Sequence, residues 1–280
     1  MNESEAGVAV AITTERVPVK RILGRNPGSM TGPGTNSYLI GSERLSLLDP
    51  GPKDEEQLQS FLAAIGDRTL ENILISHTHG DHSPGALALQ AATGAQLVGL
   101  KAPAVAGHDK TFVPDRQFND EDIIDCGEYS IQLIATPGHV SNHICFLLKD
   151  EQLLFTGDHI LQGTTPVILP PDGDMGDYLD ALERLLTIPL KMLAPGHGEV
   201  MLQPYAEIEQ LIAHRLRREQ KVVTALESMG AVSLDQLVMR VYDDVAAQLI
   251  PWAKKTLMAH LIKLERDGRV SCIDELWQIQ

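Results

Sequence analysis

Three histidines and an aspartate fall within six consecutive positions, His77-Thr-His79-Gly-Asp81-His82, directly behind the apolar run Ile73-Leu74-Ile75. A short apolar run that ends in a polar turn reads as a buried strand, so the cluster stands at a strand's mouth. A solvated loop offers no reason for that density of imidazole. The spacing supplies donors for two ions: His77 and His79 on one side of an irregular turn, Asp81 and His82 on the other. Imidazole with a little carboxylate suits zinc, manganese or iron better than magnesium or calcium. A fold that uses this cluster must bring further donors to the same place.

The rest of the first 200 residues repeats that arrangement. Ser37–Ile40 and Leu45–Leu48 read as a hairpin running into Asp49-Pro-Gly. Leu58, Phe61, Leu62 and Ile65 have helical spacing over 54–65. Pro84–Ala92 is expected to be a helix with Ser83 as N-cap and Pro84 in its first position. Strands are expected at 96–100, 129–135, 144–148, 153–156 and 191–194, and a helix at 178–186. Turns bearing Asp or His follow several of them: Thr136-Pro-Gly-His139, Gly157-Asp158 and Pro195-Gly-His197. After Gln203 the pattern changes to long helices over 206–229, 234–242 and 251–266, then a short strand pair over 269–277. Three helices followed by a β-wing is a winged-helix-like order. The reading is therefore α+β, with one domain over 1–203 and a helical C-terminal domain over 204–280.

Charge narrows the partners. The net charge is −15, and residues 204–280 hold 10 Lys+Arg against 11 Asp+Glu, which leaves 13 basic and 27 acidic side chains in the remainder. A polyanion approaching the first region meets repulsion on average. No apolar run nears the roughly 18 residues of a membrane helix, and the first 16 residues lack the basic start of a secretory or mitochondrial leader. Cys126, Cys145 and Cys272 are odd in number and far apart, which implies no disulfide framework. The expectation is a cytoplasmic protein without a membrane partner.

Taken in order, Asp49, His77-x-His79-x-Asp81-His82, His139, Asp158 and His197 resemble the five motifs of the metallo-β-lactamase superfamily. Thr31-Gly-Pro-Gly-Thr-Asn36-Ser-Tyr-Leu-Ile40, Thr136-Pro-Gly-His139 with His143 beyond it, and Pro195-Gly-His197-Gly further resemble the β-lactamase-like protein 2 group. The resemblance implies a four-layer αβ/βα sandwich with a winged-helix-like tail. It implies two divalent transition-metal ions, zinc first and manganese or iron as alternatives. His77, His79 and His139 would hold one ion, Asp81, His82 and His197 the other, with Asp158 between them. Two ions about 3.5–4 Å apart share a water and lower its pKa toward roughly 7, which yields a bridging hydroxide at neutral pH. Asp49 and Asp81 are the further catalytic candidates, Asp49 by orienting a ligand imidazole or the hydroxide.

Each position also has a plainer reading. Asp49 could cap the Pro50-Gly51 turn, and Asn36 reads either as a turn former or as a substrate donor. His143 and His159 divide evenly between substrate contact and packing, while Cys145 reads as a small buried hydrophobe. His108, His214 and His260 attract no functional claim. In the tail, Lys254, Lys255, Lys263 and Arg266 lie where a winged helix places its reading surface, yet Glu265 and Asp267 interrupt them. A packing or homodimerisation module fits better than a sequence-specific DNA reader. The expected activity is hydrolysis of a small acyl ester or thioester, with endoribonucleolytic cleavage of single-stranded RNA as the alternative.

Overall fold

The computed structural model describes residues 5–116 and 118–280. The chain forms two compact units: Met1–Thr136, Asn142–Thr165 and Ile188–Pro204 make one, and Pro137–Ser141, Pro166–Thr187 and Tyr205–Gln280 make the other. Segments 137–141 and 166–187 thus group with the C-terminal helices.

The first unit contains two sheets. One runs in the order β1 (Ala9–Ala11), β2 (Val19–Leu23), β3 (Asn36–Ile40), β4 (Arg44–Leu48), β5 (Thr69–Leu74) and β6 (Gln96–Val98). Helix α1 (Glu55–Ile65) joins β4 to β5, and α2 (Ala86–Thr93) joins β5 to β6, so these three strands are parallel. The other sheet holds β7 (Ile123–Asp125), β8 (Ser130–Ala135), β9 (Ile144–Leu148), β10 (Leu153–Gly157) and β11 (Met192–Pro195), in the order β11-β10-β9-β8-β7. Only β10 and β11 are parallel within it.

Alternation along the strands explains the stacking. Val19, Tyr38, Ile40, Leu48, Leu74 and Val98 point to one face of the first sheet, where they meet Ile131, Leu133, Phe146, Leu148, Leu153 and Phe155 of the second. The Tyr38 and Phe155 rings lie 5.0 Å apart across this layer. The alternate residues Ile22, Leu39, Leu45, Leu47, Ile73 and Leu97 face the other way and bury Phe61 and Ile65 of α1 and Leu89 of α2. Each fully buried aliphatic or aromatic side chain in these layers contributes about 1.5–3 kcal/mol.

Helix α1 begins as expected, with Asp54 capping the Gln57 N–H at 2.7 Å. Helix α2 does not. It starts at Ala86 with Gly85 as its cap, and no side chain caps it. The Ser83 hydroxyl instead donates to Asp109 at 2.9 Å, and the Gly85 N–H is drawn to the Gly51 carbonyl. Tertiary partners have claimed both groups that the local sequence offered to the helix start.

The second unit holds α3 (Met175–Leu185), α4 (Pro204–Met229), β12 (Val232–Ser233), α5 (Leu234–Val241), α6 (Ile250–Arg266), β13 (Val270–Ile273) and β14 (Leu276–Ile279). Its core joins Val222 and Leu226 of α4, Leu237 and Val241 of α5, the stripe Leu257, Leu261 and Leu264 of α6, and Trp277. The small sheet has the order β12-β14-β13, and β12, missed by the sequence pattern, is its two-residue edge. Among the described residues no helix is long and apolar enough to cross a membrane.

Candidate metal centre

The parallel strands end together, and their carboxyl ends carry the chemistry. Asp49 follows β4, Ser76–His82 follow β5, Asp158 follows β10 and His197 follows β11. Ligands gather outside the carboxyl ends of parallel strands because that is where connecting loops leave a crevice.

Asp49 is buried and leaves β4 with φ +48°. Its carboxylate accepts the Ser76 N–H at 2.8 Å and the Ser76 hydroxyl at 2.6 Å, and faces His82 Nδ1 at 2.9 Å. A carboxylate only accepts, so His82 Nδ1 carries a proton, and Nε2 is the ring nitrogen that can offer a lone pair to a metal. Having given its hydrogen to Asp49, the Ser76 hydroxyl accepts from His77 Nδ1 at 3.0 Å. His77 Nε2 then also bears a lone pair, and it stands 2.9 Å from His79 Nδ1.

The other donors converge in the same manner. His82 Nε2 lies 3.3 Å from Asp158 Oδ1 and 3.6 Å from Asp81 Oδ2, and His197 Nε2 lies 3.4 and 3.3 Å from the same two oxygens. One ligand atom from each of these four residues falls within 4.8 Å of the rest. The Nε2 atoms of His82 and His197 are buried and make no hydrogen bond. Orphaned buried nitrogens are costly unless something else satisfies them. Two imidazoles and two carboxylates form a donor set that fits a divalent transition ion.

The electrostatics point the same way. Burial opposes charge on His82, but Asp158, Asp81 and Asp49 overcome it and lift its pKa well above the usual range. Burial likewise opposes charge on His197, and Asp158 raises it to about 9. Against their own burial, His82 and His197 hold Asp158 well below the usual carboxylate range and Asp81 down to about 2. His77 is pushed well below its ordinary value by burial and then by His82 and His79. The carboxylates stay ionised, and a cation would take the place of the imidazole protons, so metal uptake releases protons.

Two glycines make the convergence sterically feasible. A Cβ on Gly157, at φ +47°, would stand 2.7 Å from Ser76 and 2.8 Å from His143 Nε2. On Gly196 it would stand 2.7 Å from Asp158 Oδ1. Gly-Asp158 and Gly-His197 are therefore units dictated by close approach.

The remaining candidates fall in different places. Asn36 begins β3 rather than making a turn, and its amide donates to the carbonyls of Pro195 at 3.0 Å and Gly198 at 2.7 Å. Both amide hydrogens hold the turn that bears His197. His143 Nε2 accepts the Asp158 N–H at 3.2 Å, and its Nδ1 pairs with the Thr136 hydroxyl at 2.8 Å. That places His143 behind the Asp158 backbone. His159 is fully buried, its ring 5.7 Å from that of His143. Cys145 is fully buried, and burial pushes its thiol up to about 12. His139 belongs to the second unit, where its Nδ1 stands 2.7 Å from the Val167 carbonyl and so carries the proton. His108, to which the sequence attached no role, pairs in an isolated β-bridge with His79. Nothing in its spacing marks it, because it comes from a loop 29 residues further on.

The family model described as the metallo-beta-lactamase superfamily matches residues 30–197, and that of the beta-lactamase associated winged helix domain matches residues 233–277. A beta-lactamase-like protein 2 homolog from Drosophila melanogaster is 32% identical, over 93% of this chain and 92% of its own. An atrochrysone carboxyl ACP thioesterase from Aspergillus fumigatus is 31% identical, over 90% of this chain and 82% of its own. The crystal structure of a beta-lactamase domain protein from Burkholderia ambifaria superposes with a TM-score of 0.83 at 18% identity, covering 100% of this chain and 95% of the other.

Proposed function

The chain belongs to the metallo-β-lactamase superfamily, and from that premise we propose that it is a two-metal hydrolase of a small acyl ester or thioester. The observation that carries the reading is the meeting of His82 and His197 Nε2, both buried and without hydrogen bonds, with the Asp81 and Asp158 carboxylates. On the family resemblance, His77, His79 and His139 would hold one ion, and Asp81, His82 and His197 the other, with Asp158 shared. Zinc suits this donor set, with manganese or iron as alternatives. When bound, such ions polarise a scissile carbonyl and make water nucleophilic at neutral pH.

The chain's own residues do the rest. Asp49 fixes the proton on His82 Nδ1, Asn36 braces the His197 turn and His143 braces Asp158. Asp81, ionised and half-buried, is the carboxylate through which the attacking water's proton passes to the leaving group. Support for thioester chemistry comes from the Aspergillus relative, which is named a thioesterase. Support for a small substrate comes from the net charge of −15, which disfavours a polyanion. We assign residues 1–203 to catalysis and 204–280 to the winged-helix region. We place the protein in a reducing cytoplasm, consistent with three unpaired cysteines.

Protein purified without chelator, analysed for metal and assayed against a thioester panel and labelled single-stranded RNA, tests the proposal. The expected result is about two transition-metal ions per chain and turnover of thioesters. RNA cleavage without thioester turnover would replace the reading with an endoribonuclease. Metal content near zero, even after zinc or manganese loading, would end the two-metal proposal.

A further inference from the structure

Beside the turn that carries His197 the first unit has a cavity of 460 Å³, with Arg21, Leu23, Pro33 and Glu199 among the residues that line it. Strand β2 explains why a guanidinium is there. Side chains alternate along a strand, so Arg21 shares its face with Leu23 and with the core residue Val19. It is consequently 8% exposed. Its Nη1 donates to the Glu199 carboxylate at 2.8 Å and to the Gly198 carbonyl at 3.3 Å. The Glu199 side chain, by contrast, is 70% exposed. A buried cation in the cavity wall is thus met by a carboxylate that stands mostly in water.

The other walls are fixed. Ala6 also lines the cavity, and the Gly7 N–H beside it donates to the Leu23 carbonyl at 2.8 Å. Pro33 sits in a loop closed at its base, where the Gly24 N–H meets the Thr35 carbonyl at 2.7 Å and the Thr35 N–H meets Asn26 Oδ1 at 3.0 Å. The Asn26 amide donates in turn to the Thr35 hydroxyl at 2.9 Å. Asn36 ties the opposite wall to Gly198 at 2.7 Å. The space is therefore built in advance, and Glu199 is its one lining side chain that lies largely in solvent.

We propose that this cavity binds a small aliphatic carboxylate, whose headgroup replaces that of Glu199 on Arg21 and whose chain lies against Ala6, Leu23 and Pro33. Glu199 shows that Arg21 accepts a carboxylate here. An ion pair with one partner in water is weak, so releasing Glu199 costs little, and Arg21 keeps its remaining contacts. The ligand adds what Glu199 cannot: each methylene taken out of water tightens binding by about fourfold. The volume lies within the usual range of small-molecule sites. A phosphate ester would bring a second negative charge against one guanidinium in a chain of net charge −15. This site is independent of the hydrolase reading and concerns binding alone.

The test titrates octanoate, butanoate and octanol into the full chain by calorimetry, with the Leu23 methyl resonances reporting where the ligand sits. Octanoate should bind, shift those resonances and outcompete octanol by about tenfold or more, because only the acid makes a charge-assisted bond. Butanoate should bind more weakly, by up to about fourfold per methylene lost. Glu199→Gln changes an exposed side chain and should tighten octanoate by about fivefold, since the internal competitor is weakened. Arg21→Gln should weaken it by about 10- to 100-fold. Arg21 is buried, and its loss could also unsettle the fold, so Ala6→Phe provides a second variant that fills the space and leaves the ion pair alone. It should expel octanoate. Failure of octanoate to bind at millimolar concentration, octanol binding as tightly, or an affinity unchanged in both Glu199→Gln and Ala6→Phe would each overturn the proposal. So would binding that leaves the Leu23 methyls unmoved, which would put the carboxylate elsewhere, the metal centre included.

Discussion

At the scale of single residues, Asp49 shows how much of the centre depends on groups that bind no metal. Its two oxygens receive the Ser76 N–H, the Ser76 hydroxyl and the His82 Nδ1–H. Asparagine at this position keeps the size but turns one acceptor into a donor. His82 Nδ1 or the Ser76 hydroxyl would then face another N–H, and the His82 ring would lose its fixed tautomer. Asp49→Asn is expected to weaken the ion held through His82 by about 10- to 100-fold while the fold survives, measured by competition with a chelator. Unchanged affinity would show that His82 needs no such anchor. The proposed ligands were legible because His77, His79, Asp81 and His82 sit within six positions and the others follow Pro-Gly or Gly turns. The braces were not. Asn36 acts on a turn 159 residues away, and His143 acts through the Asp158 backbone. Their residue types fit many tasks, and only the partners decide which.

At the scale of elements, the sequence pattern succeeded where a strand or helix is bound by its own periodicity and faltered where distant groups compete for its ends. Helix α6 carries Leu257, Leu261 and Leu264 into the core as their spacing requires. The start of α2 moved because Ser83 and Gly85 found partners elsewhere. The α4–α6 packing adds a buried histidine whose role no pattern could suggest. His260 is fully buried, 4.0 Å from the Glu219 carboxylate, too far for a hydrogen bond. Arg215, Lys263 and Glu219 are the charged groups around it, and burial lowers its pKa below the usual 6.5. The unfolded chain therefore binds that proton at a higher pH than the folded one, and stability falls as pH drops below 6.5. Glu219 acts in the same direction at lower pH. Burial would raise its pKa, but His260 and Lys263 hold it below 4.5, so its contribution is present above that value and lost beneath it. Between pH 7 and pH 5 the His260 contribution to the urea midpoint should fall, against the opposite drift from His82 and His197, whose pKa values are raised. In His260→Leu the part of that fall near pH 6 should disappear. An identical slope in the variant would show that His260 does not set it.

At the scale of the whole molecule, charge decides whether the winged-helix region reads nucleic acid. A winged helix of that kind needs a basic face on its last long helix. In α6, Lys254 pairs with Asp235, Lys263 with Asp267 and Glu219, and Arg266 with Asp174, while Lys255 lies over the Trp252 ring. Elsewhere in the unit, Arg218 and Lys221 pair with Asp244 and Asp243, and Arg269 with Glu219. Exposed pairs of this sort contribute only about 0–1 kcal/mol each, so a phosphate could break any one of them. The obstacle is that the partner in each of these ion pairs is an anion and would remain beside the phosphate. Residues 204–280 are nearly neutral, and the remainder carries a net charge of −14. Each of these pairs broken in favour of a phosphate would leave a carboxylate uncovered beside it, and the net negative charge of the chain adds to the opposition. Binding of duplex DNA or single-stranded RNA at near-physiological salt should therefore be weak. Whatever binding appears at low salt should vanish steeply as salt rises, since it would come from counterion release alone. Titration of labelled duplex across a salt series measures this. Tight, sequence-dependent binding that persists at near-physiological salt would mean that a local basic groove outweighs the net field, and would make α6 a reading helix after all.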